Sequence, residues 1–301
     1  MNICLYNMYK LSVIILSYTM DDEVYEMNRR CLESLRASES WHEGELQIIL
    51  MESNKENPYV YGDDVNVVIP DERFNFHRFF NIGVENSDGE FMALCNNDIV
   101  FEKGWFSAMM KVKKNNPKFM CFSPLDRSYP LMGEDTFPSS KDYYIGWENK
   151  KHFAAWCFVW ERKVFDIIGK FDETFDFYSA DDDELMTLRK YAIPNVVVTG
   201  SEVKHLSQVV TKKMSESKWC VTDKEKYPLS EKELKRGLGW LWDDVRFYVA
   251  YRRMEAKWGN ERMIRRLNRM FERFPFLFKR PLTRLLYCKK IVNCMAKLTV
   301  L

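Results

Sequence analysis

Polar side chains that could bind a metal or a phosphate follow a short apolar run in the first half of the chain. Asn96, Asn97 and Asp98 come directly after residues 91–95 (FMALC), whose composition predicts a buried strand. A carboxylate oxygen is a hard ligand that suits Mg²⁺ or Mn²⁺, and such an ion can bridge two phosphates. Asn and Asp are also favoured in turns, so a strand-ending turn is the alternative interpretation.

A run of acidic residues lies further along the chain. Asp181, Asp182 and Asp183 are followed by Glu184. Adjacent carboxylates repel one another, which raises the pKa of one of them toward the range of a useful base. The alternative is structural, because Asp181 with Glu184 three residues later matches an Asp form of the capping box at a helix N-terminus. Both roles fit on one segment.

His205 is the third candidate, since its imidazole can bind the same kind of metal. It follows a predicted strand at 195–199, and a surface histidine is the alternative interpretation. The chain has 4 histidines and 8 cysteines, and the cysteines form no CxxC pair. We therefore expect neither a His-rich metal site nor a zinc site.

Strands that alternate with helices must position these residues. This order over the first hundred residues or so predicts an α/β fold, with a mostly parallel sheet flanked by helices. Ligands bind beyond the carboxyl ends of such strands, where Ser17, Tyr18, Thr19 and Glu52 should meet the 96–98 triplet. We predict strands at 11–16, 46–51, 65–69, 91–95, 119–123, 154–160 and 195–199, helices at 24–37, 75–86, 105–112 and 181–191, and a long loop at 124–150.

The end of the chain differs from the rest in charge. Residues 251–301 hold 14 Lys and Arg against 3 Asp and Glu, whereas the remainder holds 31 bases and 41 acids. Because the pattern is helical from residue 231 on, we predict a catalytic domain at 1–230 and a basic helical extension at 231–301. The extension has three interpretations: a cap on the first domain, a peripheral contact with an anionic membrane, or, least favoured, contact with nucleic acid.

The expected location is the cytoplasm. Residues 1–9 do not resemble a secretion signal, and no run of about 18 uncharged apolar residues is present to span a membrane. The cysteines are then expected to be reduced thiols. A membrane-bound extension would place the protein at the inner face of that membrane.

Taken in order, these segments resemble the family 2 glycosyltransferases of the GT-A fold. Residues 11–19 are similar to the family's opening strand and nucleotide-binding loop, and Glu52 to the acid that holds the base or ribose. The segment with Asn81 is similar to the one before the metal motif. The 96–98 triplet stands at the DxD-type motif, and His205 matches the histidine that often completes the metal site.

The resemblance covers roughly residues 10–210, with two departures. The acceptor-side acidic segment usually reads Glu-Asp, and Ala180 replaces that Glu, which leaves the choice among the three following aspartates open. Asn96 and Asn97 stand where acids are usual, so Asp98 is the only carboxylate of its triplet.

The resemblance implies an inverting transferase that moves a hexosyl or N-acetylhexosaminyl group from a nucleotide-diphosphate sugar, foremost a UDP-sugar, to a hydroxyl in glycan or polysaccharide synthesis. The acceptor would be a glycan, a lipid-linked molecule or another hydroxyl compound. The alternatives are a nucleotidyltransferase of similar fold, which residues 17–22 disfavour because they lack glycine and a base, and an inactive sugar-nucleotide-binding module. By this resemblance, Asp98 and His205 would bind Mn²⁺ or Mg²⁺, and the base would be Asp181, Asp182 or Asp183. The implied donor-binding residues are Ser17, Tyr18, Thr19, Glu52, Asn81, Asn96 and Asn97. Four aromatic residues would either form an acceptor wall or pack in the core: Tyr143, Tyr144, Trp147 and Trp156.

Overall fold

The computed structural model describes residues 9–206 and five residues near the end of the chain, 250, 253, 254, 257 and 258. The chain divides into two compact units, residues 1–176 with 180–219 and residues 177–179 with 220–301. The five described residues of the second unit beyond position 220 are helical. The predicted boundary near residue 230 and most of the basic extension lie outside the described residues.

The first unit carries the strands and helices that alternate along the chain. None of the described helices is long and apolar enough to cross a membrane. The strands are β1 Leu11–Ser17, β2 Leu46–Glu52, β3 Val65–Val68, β4 Phe91–Asn96, β5 Ile99–Phe101, β6 Cys121–Leu125, β7 Tyr143–Ile145, β8 Cys157–Glu161 and β9 Asn195–His205. The helices are α1 Asp22–Ser38, α2 Phe76–Glu85, α3 Trp105–Asn115, α4 Lys163–Ile168 and α5 Ala180–Lys190.

One sheet of nine strands organises this unit. Its order is β3-β2-β1-β4-β8-β6-β9-β5, and β7 pairs with β9. β3, β2, β1 and β4 run parallel, as do β6 and β9. β8 runs antiparallel to both of its neighbours, and β5 and β7 run antiparallel to β9. The predicted α/β class, a mostly parallel sheet flanked by helices, is confirmed.

The burial of β1 explains why its sequence is a continuous apolar run. All seven of its residues are buried, as expected of a central parallel strand covered on both faces. α1 follows it and begins where the Asp21 side chain accepts a hydrogen bond from Val24 N at 3.0 Å. The apolar face of α1 then packs into the core through Cys31, Leu32 and Leu35.

α2 approaches β1 closely because position 83 is glycine. A β-carbon at Gly83 would lie 2.4 Å from Ile14 Cγ2, well inside van der Waals contact. The helix begins at the side chain of Asn75, which accepts a hydrogen bond from Arg78 N at 2.9 Å. The same helix presents His77 and Asn81, both buried, to the segments that follow α4.

Besides β5 and α4, which were not predicted, the clearest differences from the sequence prediction lie in β7, β8 and β9. β9 does not end near residue 199 but continues to His205, because its last residues pair with β5. The predicted loop at 124–150 contains β7, which pairs with the first half of β9. β8 begins at Cys157, three residues later than predicted. In each case long-range pairing sets the boundary, and local composition does not report it.

Candidate active site

Asp98 and His205 lie side by side at one edge of the sheet. Asp98 directly precedes β5, and Ile99 pairs with His205 at the end of the antiparallel β9. The His205 Nε2 atom is 3.1 Å from Asp98 Oδ2, and Leu206 N donates to the Asp98 carbonyl at 2.8 Å. The structure thus brings together the two residues predicted to bind the metal.

Two further residues fix the orientation of His205. The Trp156 ring stacks on the imidazole with ring centroids 4.8 Å apart and an interplanar angle of 8°. The backbone N–H of His205 donates to Asp126 Oδ2 at 3.1 Å, and Ser128 N and Oγ donate to the other oxygen, Oδ1. Asp126 follows β6 directly, and nothing in its sequence context distinguished it from an ordinary loop acid.

The donor atoms at this edge suit a divalent metal. Asp98 Oδ1 is buried and has no hydrogen-bond partner in the described part of the chain, although an unpaired buried carboxylate oxygen is costly. An oxygen and an imidazole nitrogen are acceptable ligands for Mn²⁺. Across residues 9–206 and the few described later ones, no group of three or more His, Cys, Asp and Glu forms a metal site. A metal here would take its other ligands from a bound molecule and water.

A buried polar network lies at the carboxyl ends of β1 and β2. Glu52 accepts hydrogen bonds from Thr19 N at 3.0 Å and Thr19 Oγ1 at 2.5 Å, and from Asn54 N at 2.7 Å. Asn28 Nδ2 donates to Ser17 Oγ and Thr19 Oγ1 at 2.9 and 2.8 Å. Glu52 and Thr19 are fully buried, so their polar atoms hold the two strand-end loops together.

This network also reaches the triplet after β4. Asn97 Nδ2 donates to Asn28 Oδ1 at 2.6 Å, and it lies 3.4 Å from Ser17 Oγ. Asn97 is buried, whereas Tyr18 and Asn96 are partly exposed. The structure therefore joins four of the predicted donor-binding residues and leaves two others beside them at the surface. Donor binding by all six stays a prediction.

Asn28 was missed by the sequence analysis, although its position carried a signal. It lies on the apolar face of α1, between Val24 and Leu32, and only 1% of its surface is exposed. A polar side chain inside an apolar stripe must find a buried partner. Such a residue on the first helix after β1 points to a polar network at the end of that strand.

Asn81, the remaining predicted donor-binding residue, lies with the segment after α4. Its Nδ2 donates to Phe171 O and Glu173 Oε1, both at 3.0 Å, and its Oδ1 accepts from Phe171 N at 2.9 Å. The side chain is 2% exposed. These bonds give Asn81 a structural role, which is to tie α2 to the segment that leads to the acidic run.

The acidic run forms the first turn of α5. Asp181 Oδ2 accepts a hydrogen bond from Asn149 Nδ2 at 2.7 Å, and Asp181 Oδ1 accepts from Asp182 N at 3.0 Å. Burial, followed by the charge of Asp182, raises the pKa of Asp181 above its usual range. Asp181 and Asp182 are partly exposed, whereas Asp183 is 2% exposed. Asp181 is therefore partly accessible to solvent and has a raised pKa.

One loop contacts both candidate clusters. It comprises residues 149–156. At one end Asn149 binds Asp181, and at the other Trp156 stacks on His205 and accepts a hydrogen bond from Asn96 N at 2.9 Å through its carbonyl. Between them, Lys150 adopts a left-handed φ of 60° and donates from its N–H to Phe153 O at 2.6 Å. A tight turn thus connects the residues around Asp98 with those around Asp181.

The other aromatic residues near this loop pack within the protein. Tyr143 contacts Phe119, and Tyr144 contacts Phe137, each edge to face. The indole of Trp147 donates to Ile193 O at 3.2 Å. Of the four aromatic residues considered for an acceptor wall, Trp156 is the one that lies against a candidate site residue.

Comparison with known proteins shows the fold. No protein-family model matches the chain, and no curated protein matches it by sequence. Its architecture is similar to that of GalNAc-T7, solved with UDP, GalNAc and Mn²⁺, at a TM-score of 0.53 and 15% identity over 67% of this chain and 44% of that one. It is also similar to the mannosyltransferase PcManGT of Pyrobaculum calidifontis, solved with GDP-Man and Mn²⁺, at a TM-score of 0.50 and 12% identity over 66% and 57%. The match spans about half of each of those chains, and the shared fold is the GT-A type.

Proposed function

We propose that this chain is a metal-dependent inverting glycosyltransferase that moves a sugar from a nucleotide-diphosphate sugar to an acceptor hydroxyl. The observation that carries the proposal is the Asp98–His205 pair at the carboxyl edge of a GT-A sheet. In an α/β sheet of this type, ligands bind at that edge. The proposed donor is a UDP-sugar, and the proposed setting is glycan or polysaccharide synthesis in the cytoplasm.

Asp98 and His205 would hold Mn²⁺ or Mg²⁺ through Oδ1 or Oδ2 and the imidazole. When bound, the metal supplies positive charge that stabilises the leaving diphosphate. The solved neighbours contain Mn²⁺ together with UDP in one case and GDP-Man in the other, which supports this class of donor. The neighbours differ in nucleotide and sugar, so the sugar itself stays open.

Asp181 is the proposed base. Its carboxylate would take the proton from the acceptor hydroxyl while the hydroxyl oxygen forms a bond to the anomeric carbon. The bond from that carbon to the diphosphate breaks on the opposite face, so the configuration inverts in one displacement. A raised pKa favours this role, because a base works best when its pKa lies near the working pH.

The polar network of Ser17, Thr19, Glu52 and Asn97 would act as the floor of the nucleotide site. Its members are bound to one another directly or through Asn28, so they need no rearrangement when a ligand arrives. The partly exposed Tyr18 and Asn96 are then the side chains placed to contact the donor. Preorganisation of this kind lowers the free-energy cost of binding.

A thermal-shift panel tests the proposal. UDP-, GDP- and other nucleotide sugars are added to the purified protein with and without Mn²⁺, and to the Asp98→Ala variant. We expect one donor to raise the Tm of the wild type only with Mn²⁺, and Asp98→Ala to abolish both this shift and sugar transfer. The matched control is Asp63→Ala, which removes an exposed loop carboxylate. Full transfer by Asp98→Ala would remove the metal hypothesis.

The same panel, extended to nucleoside triphosphates and followed by product assays, separates the two alternatives. A nucleotidyltransferase would be stabilised by a nucleoside triphosphate, and it would release pyrophosphate. An inactive binding module would be stabilised by a donor with Mn²⁺ but would neither transfer nor hydrolyse the sugar. Either result contradicts the proposed transferase.

A further inference from the structure

A fully buried histidine and glutamate face each other behind the acidic turn of α5. The His77 Nε2 atom of α2 lies 3.4 Å from Glu184 Oε1 of α5, and both side chains are 0% exposed. The pair lies outside the set of residues that the proposed mechanism uses. Burying an ionisable group costs free energy unless a partner compensates its charge. We therefore expect this contact to have a structural or functional role.

The atoms that face each other in this pair are not hydrogen-bonded to any other described residue. The His77 Nδ1 atom lies 2.8 Å from Asp172 O and would donate to it, and its ring stacks on Phe171 at 5.1 Å. Among the described residues, His77 Nε2 and both carboxylate oxygens of Glu184 have no hydrogen-bond partner, so the contact between Nε2 and Oε1 at 3.4 Å is the ion-pair contact available to them. Each group thus depends on the other to satisfy its charge or its proton.

The pair also lies one helical turn from the proposed base. Glu184 follows Asp181 by three residues on α5, and side chains at that spacing share a face of the helix. Asn149 holds the other side of Asp181. Any movement of the first turn of α5 would therefore break the contact between Asp181 and the 149–156 loop.

We propose that His77 and Glu184 are positioning residues, which share one buried proton and thereby hold the first turn of α5 so that Asp181 keeps its place against Asn149. This inference rests on the proposed function for the role of Asp181. The shared proton and the anchoring of α5 do not depend on that function, so they can be tested separately.

The charges around the pair agree with a shared proton. Burial, together with Asp181 and Asp183, raises the pKa of Glu184 to about 7 in spite of His77. Burial alone would lower the pKa of His77, but Glu184, Asp172 O and Asp183 outweigh it and raise that pKa. The folded pair therefore binds protons more tightly than the unfolded chain does.

The two single variants should lose stability in opposite pH directions. In His77→Gln, the buried Glu184 has a folded pKa above its unfolded value of about 4.3, so stability is lost as the pH rises. In Glu184→Gln, the main remaining influence on His77 is burial, which places its folded pKa below the unfolded value of about 6.5. That variant therefore loses stability as the pH falls.

Unfolding in urea is followed from pH 5 to pH 8.5 for the wild type, the two single variants and the double variant His77→Gln/Glu184→Gln. We expect opposite pH slopes for the single variants relative to the nearly flat double variant. The exposed His42→Gln and Glu43→Gln serve as matched controls with the wild-type slope. Equal slopes in the two single variants would overturn the shared proton.

The positioning role is tested with the double variant at a pH where it is folded. We expect kcat for sugar transfer to fall on the order of 10- to 100-fold, with the donor KM unchanged. The pKa of Asp181, followed by carboxyl ¹³C NMR, should shift from its wild-type value, because displacement of the turn changes the burial that raises it. If kcat and the titration of Asp181 are both unchanged, the positioning role is overturned. If the wild-type protein shows no transfer at all, the proposed function is refuted, and the stability and NMR results alone decide this inference.

Discussion

At the scale of single residues, the orientation of His205 depends on contacts made by its neighbours. Trp156 stacks on the face of the imidazole and Asp98 lies at its Nε2 atom, while Asp126 accepts a hydrogen bond from the backbone N–H of His205. Residues that orient a metal ligand affect metal affinity although they do not touch the metal. Trp156 is therefore expected to act on metal binding as well as on packing.

The substitution Trp156→Leu should weaken Mn²⁺-dependent activity. Loss of the stacked ring frees the imidazole to rotate away from Asp98, and a loss of about 10- to 100-fold in Mn²⁺ affinity is expected. Trp156→Phe, which keeps an aromatic face, should lose much less. The measurement is the Mn²⁺ concentration that gives half-maximal transfer, with Tm as the check on folding. Equal effects of Leu and Phe would argue against the stacking role.

The substitution Asp182→Asn should move the pH dependence of transfer. After burial, the charge of Asp182 is the largest cause of the raised pKa of Asp181, and like charges raise a carboxyl pKa. Without that charge, the pKa of Asp181 falls, so the acid limb of the kcat profile shifts to lower pH. Asp63→Asn, at an exposed site, should leave the limb in place. If the limb is also unmoved in Asp182→Asn, Asp181 is not the base.

At the scale of secondary-structure elements, the sequence predicted those positions that follow from strand order. Apolar runs located β1, β2 and β4. Because the carboxyl ends of parallel strands lie at the same edge of a sheet, residues 17–19, Glu52 and the 96–98 triplet were predicted to lie together. The full length of β9 was missed, because pairing of its end with β5 depends on residues a hundred positions away. His205 therefore lies on a strand rather than after one.

Side-chain assignments were harder to predict because a residue type does not report its partners. Asn81 and Glu52 have the polarity of ligand-binding residues, yet both are buried and bonded within the protein. Trp156 looked equally suited to the core or to an acceptor wall, and only the tertiary structure placed its ring on His205. The His77–Glu184 pair joins two helices that are far apart in sequence, and no local pattern indicates it.

The packing of α2 on β1 gives a prediction at the same scale. Gly83→Ala should lower the free energy of unfolding by about 1–3 kcal/mol, the usual cost of overpacking a core, since the new methyl group would lie 2.4 Å from Ile14 Cγ2. Gly133→Ala, with no atom within 4 Å of the added carbon, is the matched control. In the double variant with Ile14→Ala, the cost should be less than the sum of the two single costs. Additive costs would show that α2 adapts without contacting Ile14.

At the scale of the whole molecule, the described residues include two sets of groups whose pKa shifts act on stability with opposite signs. His77 and Glu184 have raised pKa values, so their contribution is lost as the pH rises through about 7. Glu161 and Asp64 have lowered pKa values, so their contribution is lost as the pH falls through the acid range. Stability is therefore expected to be greatest at mildly acidic to neutral pH.

Glu161 should account for a measurable part of the stability that is lost at acid pH. It ends β8 and is 3% exposed, with Lys113 Nζ of α3 at 2.5 Å and Lys163 Nζ at 3.0 Å. Burial raises the pKa of Glu161, but the hydrogen bonds from the two lysines outweigh it and lower that pKa. The stability it supplies is present above the unfolded glutamate pKa of about 4.3 and is lost below it. In Glu161→Gln, the free energy of unfolding measured in urea should thus be lower than that of the wild type at pH 7, and it should change less between pH 7 and pH 3.5. The exposed Glu56→Gln should follow the wild type. A Glu161→Gln curve parallel to that of the wild type would mean that the charge of Glu161 does not join α3 to the sheet.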